Sequence, residues 1–382
     1  MEADVPPVDP GVIEGRRRPG YVAPLPDPIT QDNPGAVRAP PPEAFPIDQV
    51  PIPDRWRLIE TLGIVKERWF DPYNQNTLKG DRPLDPEKFP FISGDDWFFA
   101  ANLVSDTVFE PRTFPIPTGV QTTERPDSND VFGQPNSIVG VQTIILSAAL
   151  IKGSTAYKPP DVEWRLTLAA QANYVDVPER RVLDVRPSIS SNRFDYALGV
   201  QEAFIDWHIA NTSYRYDFYS LRIGIQPWNL DFRGFLFQDQ QLGFRLFGNR
   251  DNNRFQFNLA AIWRLEKDTN SGLNNIFQRP RDDWVLHANV YRQDFPIINM
   301  TSELSLTWNI NREGDEIEVD DNGFPVRPAL IGNLRARDYD AFYIGYNADG
   351  HIGLLNLSAR RLLPNPRERF RELATNPVPL NL

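Results

Sequence analysis

The chain has 382 residues, of which 41% are hydrophobic, and no apolar run approaches the roughly 18 residues of a membrane helix, so any membrane span must be built from strands. It contains no cysteine, which excludes a disulfide framework, a thiolate metal site and a cysteine nucleophile. A net charge of -11 without a basic stripe argues against nucleic acid as a partner.

Residues 1–53 are rich in proline and have almost no periodic apolar pattern, which predicts a disordered or polyproline arm. Met1 is followed by Glu2, Ala3 and Asp4, without the basic region and apolar stretch of a secretory signal peptide. We therefore expect a mature form with an added start methionine, or the product of an incomplete gene model.

Residues 54–96 form a second predicted segment, a short helix followed by an irregular stretch. Asp54 is placed as the N-cap of a helix whose apolar positions, such as Trp56 and Ile59, stand at helical spacing. The residues after the helix are rich in turn formers. The helix could enter a barrel as a plug, but we expect it at the periplasmic mouth, because one short helix fills little of a wide barrel.

From Trp97 onward, apolar and polar residues alternate in segments of about ten residues, the pattern of strands with one apolar and one polar face. Between Trp164 and Tyr174, ten steps of roughly 3.3 Å at a tilt of about 40° span about 25 Å, the height of the apolar band of an outer-membrane barrel. Eleven strands are predicted in this way, at 97–109, 139–153, 161–175, 198–210, 216–226, 241–248, 254–266, 284–292, 300–311, 338–346 and 351–359.

The connections between these strands alternate in length. The short ones lie at 154–160, 211–215, 249–253, 293–299 and 347–350. The long ones lie at 110–138, 176–197, 227–240, 267–283 and 312–337. Short periplasmic turns and longer extracellular loops are typical of bacterial barrels. The predicted fold is therefore all-β, an antiparallel up-and-down transmembrane β-barrel over residues 97–359.

Alternation also assigns each side chain to lipid or lumen, because an arginine that faces lipid costs about 2 to 4 kcal/mol at the bilayer midplane. The charged residues expected to line the lumen and to select solutes are Arg165, Arg222, Arg245, Arg264, Glu163, Glu202, Asp206 and Glu266. The aromatic residues expected in the girdle of the lipid face are Trp164, Tyr174, Trp263, Trp284 and Trp308. The lipid face of strand 254–266 is expected to continue to Leu265.

Several motifs also carry a resemblance. They are Val200–Phe204 (VQEAF), Arg222–Trp228 (RIGIQPW), Asp231–Phe237 (DFRGFLF), Arg245–Asn249 (RLFGN) and Leu265–Gly272 (LEKDTNSG). From about Trp56 to Ser358 the chain resembles poorly characterised porin-like outer-membrane proteins of Gram-negative bacteria. The resemblance implies an outer-membrane location and a barrel more firmly than any substrate.

The tail, residues 360–382, departs from that family pattern. It abandons alternation, concentrates arginine and proline, and stops at Leu382 instead of on a terminal aromatic residue. Bacterial single-chain barrels have an even number of strands, which places both termini on one side of the membrane. Eleven strands therefore predict that closing strands are missing, with an irregular tail and a truncation or frame change near Ala359.

No catalytic signature stands out: the chain has neither GxxxxGK[ST] nor HExxH, and we expect no metal and no cofactor. The favoured function is passive diffusion of small polar solutes across a bacterial outer membrane, by a protein that is not an enzyme. The inward arginines could favour anionic solutes, or could form ion pairs with the inward glutamates. The expected partners are outer-membrane lipid, the solutes and further copies in a homo-oligomer. The alternatives are a barrel hydrolase of lipid or peptide, built on a histidine such as His287, and a soluble β-rich binding protein of the cell envelope.

Overall fold

The computed structural model describes residues 76–87, 89, 96–113, 136–153, 159–177, 181–186, 188–213, 217–231, 234–314, 317–327 and 335–370. The predicted arm of residues 1–53 and the helix expected after Asp54 lie outside these ranges. Within them, no helix is long and apolar enough to cross a membrane.

The secondary structure of the described residues consists of β-strands and turns. The strands are β1 (Lys79–Pro83), β2 (Trp97–Thr113), β3 (Asn136–Lys152), β4 (Val162–Asp176), β5 (Asn192–Asn211), β6 (Phe218–Asn229), β7 (Gln238–Arg250), β8 (Phe255–Trp263), β9 (Glu266–Lys267), β10 (Asn274–Asn275), β11 (Asp283–Gln293), β12 (Met300–Asn311), β13 (Glu318–Val319), β14 (Pro325–Arg327), β15 (Arg337–Ile352) and β16 (Leu355–Phe370). The eleven predicted strands correspond to β2 to β8, β11, β12, β15 and β16. The prediction of an all-β chain is confirmed for the described residues.

Twelve of these strands form one antiparallel sheet in the order β1-β2-β3-β4-β5-β6-β7-β8-β11-β12-β15-β16. The remaining four form two small hairpins, β9 with β10 and β13 with β14, inside the connections that follow β8 and β12. Each long strand therefore pairs with the strands before and after it in the sheet. Within the described residues, β1 and β16 are the two edges, and no pairing joins them.

Both ends of the sheet differ from the sequence prediction. β1 lies in the stretch that was expected to be irregular. Its residues KGDRP pair with β2 through the backbone but show no apolar alternation, so the sequence shows no sign of a strand there. The segment after Ala359, expected to be an irregular tail, continues β16 as far as Phe370 and stays paired with β15. Proline is tolerated at Pro364 because β16 is an edge strand, where one side of the backbone needs no partner.

All the longest connections lie at one end of the sheet, the long-connection end, and the turns at 212–217, 251–254, 294–299 and 353–354 lie at the other, the short-turn end. The alternation predicted from the sequence is confirmed with one exception. β6 and β7 extend further than expected, so the connection at 230–237 is no longer than the short one at 153–161.

The two faces of the sheet have opposite character, and the apolar face is the exposed one. Ile223 is 51% exposed and Leu306 is 43% exposed. On the polar face, His287 is only 5% exposed, and Glu303 is completely buried. A soluble protein ordinarily buries its apolar side chains and exposes its charged ones. This sheet does the reverse over its central strands, although the edge strand β16 carries Arg361 on the apolar face.

One cluster on the polar face is itself apolar. It comprises Trp228, Leu230, Ala260, Ile262 and Val285, with Phe237 packed against it. Leu265, which we expected to face lipid, is also buried, at 5% exposure. The reason is that β8 ends at Trp263, so the chain has already left the sheet when it reaches Leu265.

Candidate functional site

One row of directly paired residues crosses the polar face from β4 to β12. In register, the row runs through Glu163, Asp206, Arg222, Arg245, Ala260, His287 and Thr307. Residues directly opposite one another in antiparallel strands point to the same face. The structure therefore places four of the predicted lumen residues, together with His287, in one row on the polar face, which we call the wall.

Two of the predicted arginines form ion pairs along this wall. Arg222 donates from Nε (2.9 Å) and Nη2 (2.7 Å) to Oδ2 of Asp206. Arg165 lies beside Glu163, with 2.6 Å between Nη2 and Oε1. These contacts favour the ion-pair interpretation for both arginines, because each guanidinium charge is balanced by a neighbouring carboxylate.

Arg245 differs from these two arginines. Its Nε and Nη2 donate to Oδ1 of Asn258 at 2.9 and 2.6 Å, and no described carboxylate lies within ion-pair distance of it. An asparagine oxygen satisfies the N–H groups but does not cancel the charge. Among the described residues, the charge of Arg245 therefore has no carboxylate in direct contact.

Two phenylalanines alternate with these guanidinium groups on the polar face. The Arg222 guanidinium lies 4.4 Å from the ring centroid of Phe204, and that of Arg245 lies 4.6 Å from Phe247, both within cation–π range. Gly224, opposite Phe204, makes this arrangement possible: its φ is +130°, and a Cβ there would lie 2.1 Å from the carbonyl oxygen of Ala203. Sequence analysis missed both rings, although each is in phase with an inward arginine or aspartate.

A belt of hydrogen bonds crosses the rest of the polar face. Following its donors and acceptors, the belt runs through Arg245, Asn258, Asn289, Glu303, Asn347, Arg360 and Asp231. The buried Glu303 accepts from Nδ2 of Asn289 at 2.9 Å and from Nδ2 of Asn347 at 2.8 Å. Uncharged asparagines gave no sequence signal beyond their inward phase, so this belt was not predicted.

Glu202 is also bound to the wall, where it accepts a 2.9 Å hydrogen bond from Oγ1 of Thr167. Arg264 and Glu266 both come after the end of β8. Arg264 still forms backbone hydrogen bonds with Asp283 and Arg281, and its side chain pairs with the buried Asp283 at 2.8 Å. Glu266 pairs with Arg327 at 2.5 Å. Both residues are therefore held in ion pairs at the long-connection end of the sheet.

The long connections interlock above the sheet. Arg281, in the connection after β8, donates to Glu313, in the connection after β12, from Nε (3.0 Å) and Nη2 (2.9 Å). Asn322, also in the connection after β12, contacts two others: its Nδ2 donates to Oδ1 of Asn270 after β8 (2.8 Å), and its carbonyl accepts from N–H of Val185 after β4 (2.9 Å). The β9–β10 and β13–β14 hairpins also line a polar cavity of about 630 Å³.

The Arg281–Glu313 pair makes this network sensitive to pH. Burial alone would raise the pKa of Glu313, but the hydrogen bonds and charge of Arg281, helped by Asn311 and Arg327, outweigh it and lower the pKa. The pKa of Arg281 is likewise raised, because its bonds to Glu313 outweigh the effect of burial. A carboxylate with a lowered pKa stabilises the folded state above its ordinary pKa, and that contribution is lost as the pH falls through the lowered value.

We therefore expect the connections at 264–282 and 312–327 to be better protected from hydrogen exchange in the unmodified protein than in Glu313→Gln at pH 7. The difference should shrink as the pH falls below the ordinary glutamate pKa of about 4.3 and disappear once the pH has passed the lowered pKa of Glu313, because the carboxylate is then protonated. Exchange measured at pH 7 and pH 3 by mass spectrometry checks this. A difference that persists unchanged at pH 3 would contradict the role of the charge.

His287 lies in the same row on the polar face of the sheet, and its ring contacts a hydroxyl group. Its Nδ1 is 2.8 Å from Oγ1 of Thr307, and its Nε2 is buried without a hydrogen-bond partner among the described residues. A catalytic imidazole between a nucleophile and an orienting carboxylate would need partners on both nitrogens. The described residues also contain no group of three or more histidine or acidic residues that could hold a metal ion.

The predicted girdle residues all lie on the apolar face of the sheet. Trp263 pairs directly with Trp284, and their rings are stacked with centroids 6.2 Å apart. Tyr174 and Trp308 lie toward the same long-connection end of their strands, whereas Trp164 lies near the short-turn end of β4. The structure thus brings four of the five aromatics to one level and separates Trp164 from them.

The comparisons with known proteins identify no relative. No family model matches the chain, and no curated protein and no solved structure matches it at a significant level. The resemblance to porin-like outer-membrane proteins therefore stays a prediction, carried by residues such as Arg222–Trp228 and Asp231–Phe237.

Proposed function

We propose that this sheet is the wall of a porin-like outer-membrane β-barrel through which small polar solutes diffuse. The observation that carries the proposal is the reversed polarity of the sheet, with an exposed apolar face and a buried charged face. Water-soluble proteins rarely expose apolar patches larger than a few hundred Å², whereas lipid favours such a surface. A charged inner face is equally typical of a barrel with a polar interior.

The surface of the apolar face fits contact with lipid chains. It carries two shallow grooves of about 390 and 440 Å³, where small residues such as Ala261 and Ala148 lie among larger apolar ones such as Phe244 and Leu150. Acyl chains can fill grooves of this kind. The aromatic residues at the long-connection end would mark one membrane interface.

Strand direction supports closure of the sheet into a barrel. β1 runs antiparallel to β2, and β2 and β16 run in the same direction, since ten antiparallel pairings separate them. β1 and β16 would therefore meet in antiparallel orientation and give twelve strands. Closure removes both edges, whose unpaired backbone groups would each cost several kcal/mol in lipid.

The proposal is tested by refolding the protein into detergent and inserting it into planar lipid bilayers. We expect discrete conductance steps, together with slower migration of the boiled form than of the unboiled form in gel electrophoresis. A well-folded protein without conductance but with lipid or peptide hydrolysis would favour the hydrolase alternative. A protein that stays folded and monomeric without detergent would favour the soluble alternative.

Arg245 allows the channel proposal to be tested for ion selectivity. Among the described residues, it is the arginine of the row that has no carboxylate partner. We expect Arg245→Gln to shift the reversal potential toward cations in a salt gradient. The matched control is the double variant Arg222→Gln with Asp206→Asn, which removes a cation and an anion together and should leave the reversal potential unchanged. Equal shifts in both variants would show that the local charge balance does not govern selectivity.

A further inference from the structure

Opposite parts of the sheet meet across its polar face. Arg360 of β16 donates from Nη2 to Oδ1 of Asp231 at 3.4 Å, although Asp231 follows β6, six positions away in the sheet. The Arg360 guanidinium also lies 4.7 Å from the ring centroid of Phe235. Contacts between strands so far apart require the sheet to curl, with the polar face on the concave side.

The register of the strands explains how these residues reach one level. A row of directly paired residues runs through Asn249, Gln256, Tyr291, Glu303, Asn347 and Arg360. It begins beside the short turn after β7 and ends next to Asp231, at the long-connection end of β6. Five strand spacings of about 4.8 Å, in strands tilted by about 40°, raise such a row by roughly 15 Å along the axis, a stagger of the kind that a closed barrel requires.

Residues 230–231 and 234–237 of the connection after β6 fill part of the concave interior at this level. Asp231 accepts hydrogen bonds from N–H of Phe235 and of Leu236, both at 3.0 Å, which fold the connection tightly. The neighbouring Trp228 and Leu230 are buried in the inward apolar cluster. The interior is therefore reduced in cross-section where the connection meets β16.

At this meeting point the cation is the accessible partner. The side chain of Arg360 is 30% exposed, whereas that of Asp231 is only 6% exposed. A solute in the interior would thus meet the guanidinium group and not the carboxylate that balances it. A guanidinium offers several N–H donors in a planar fork, a geometry that matches carboxylates.

We propose that the contact of Arg360 with Asp231 and Phe235 is the narrowest point of the interior, and that Arg360 selects small organic carboxylates there. This inference rests on the proposed channel function. It adds a specificity-determining residue outside the arginine row, in a part of the chain where the sequence suggested an irregular tail.

The test combines transport with a geometric readout that needs no transport. In bilayers with a salt gradient of a small carboxylate such as sodium acetate, Arg360→Gln should lower the anion-to-cation permeability ratio several-fold. Arg360→Lys should retain most of the ratio, because it keeps the charge. The matched control Arg361→Gln makes the same change on the opposite face of β16, and its ratio should equal that of the unmodified protein.

The geometric arm uses the absence of native cysteines. Phe235→Cys with Arg360→Cys should be linked by a short bismaleimide within one chain, whereas Phe235→Cys with Arg361→Cys should not.

An unchanged permeability ratio in a conducting Arg360→Gln variant would overturn the selectivity role of Arg360, even if the cross-link forms. No conductance from the unmodified protein would overturn the channel function and the role of Arg360 with it, and the cross-link would still show whether the interior contact exists. Failure of the cross-link in the Arg360 pair would overturn the proposed narrowing.

Discussion

Leu306→Arg should prevent the protein from assembling in a membrane. Leu306 is 43% exposed and sits in the middle of the apolar face, in one row with Ala288 and Leu259. An arginine at the bilayer midplane of a barrel costs about 2 to 4 kcal/mol, a large part of the stability of a typical protein. The measurement is the fraction of protein that acquires the fast-migrating, unboiled form after refolding into lipid vesicles.

Val319→Arg is the matched control for this change. Val319 is 57% exposed and belongs to the β13–β14 hairpin, outside the large sheet. If the apolar face contacts lipid, only Leu306→Arg should reduce assembly. If the protein were a soluble binding protein, both positions would face water, and both substitutions should be tolerated equally.

Glu303→Leu should strongly destabilise the folded protein. The change removes the acceptor of two buried side-chain amides, those of Asn289 and Asn347. Each buried polar group that loses its acceptor costs roughly 1 to 3 kcal/mol, so the free energy of unfolding should fall by about 2 to 6 kcal/mol. Urea unfolding in lipid vesicles, followed by tryptophan fluorescence, measures the loss.

Glu303→Gln separates the hydrogen bonds of this site from its charge. Glutamine keeps one carbonyl acceptor with nearly the same shape, so it should cost less than half of the loss seen with leucine. An equal loss for the two variants would mean that the negative charge itself matters more than the two amide bonds. No loss in either variant would contradict the importance of the belt.

Periodicity predicted the eleven long strands because each one has one side on the polar face of the sheet and the other side on its apolar face. Where a strand lacks this difference between its two sides, the sequence shows no alternation of apolar and polar residues. β1 is held by backbone pairing, which leaves no trace in its side chains, and β16 keeps pairing through Pro364, where the sequence reads as irregular. Alternation also continued by chance past Trp263, which is why Leu265 and Glu266 were placed on a strand that had already ended.

The sequence predicted which residues of the candidate site share a face of the sheet, but not which of them contact one another. Inward parity correctly grouped Glu163, Asp206, Arg222 and Arg245, because side chains two residues apart share a face. Which of them bond together depends on register, and a bulge between β4 and β5 shifts the register next to Thr167. The contact of Arg360 with Asp231, 129 residues apart in sequence, depends on the curl of the whole sheet.

The prolines of β16 have a consequence for how separate copies of the chain meet during folding. Pro364 and Pro366 lie within an edge strand, and neither can donate a backbone hydrogen bond. An edge that lacks donors at two alternate positions is a poor template for a strand of another molecule, and proline on edges is a common protection against aggregation. A strand as short as β1 could still pair with β16 before Pro364. The same residues that broke the sequence pattern would thus keep newly made copies from joining edge to edge along the second half of β16.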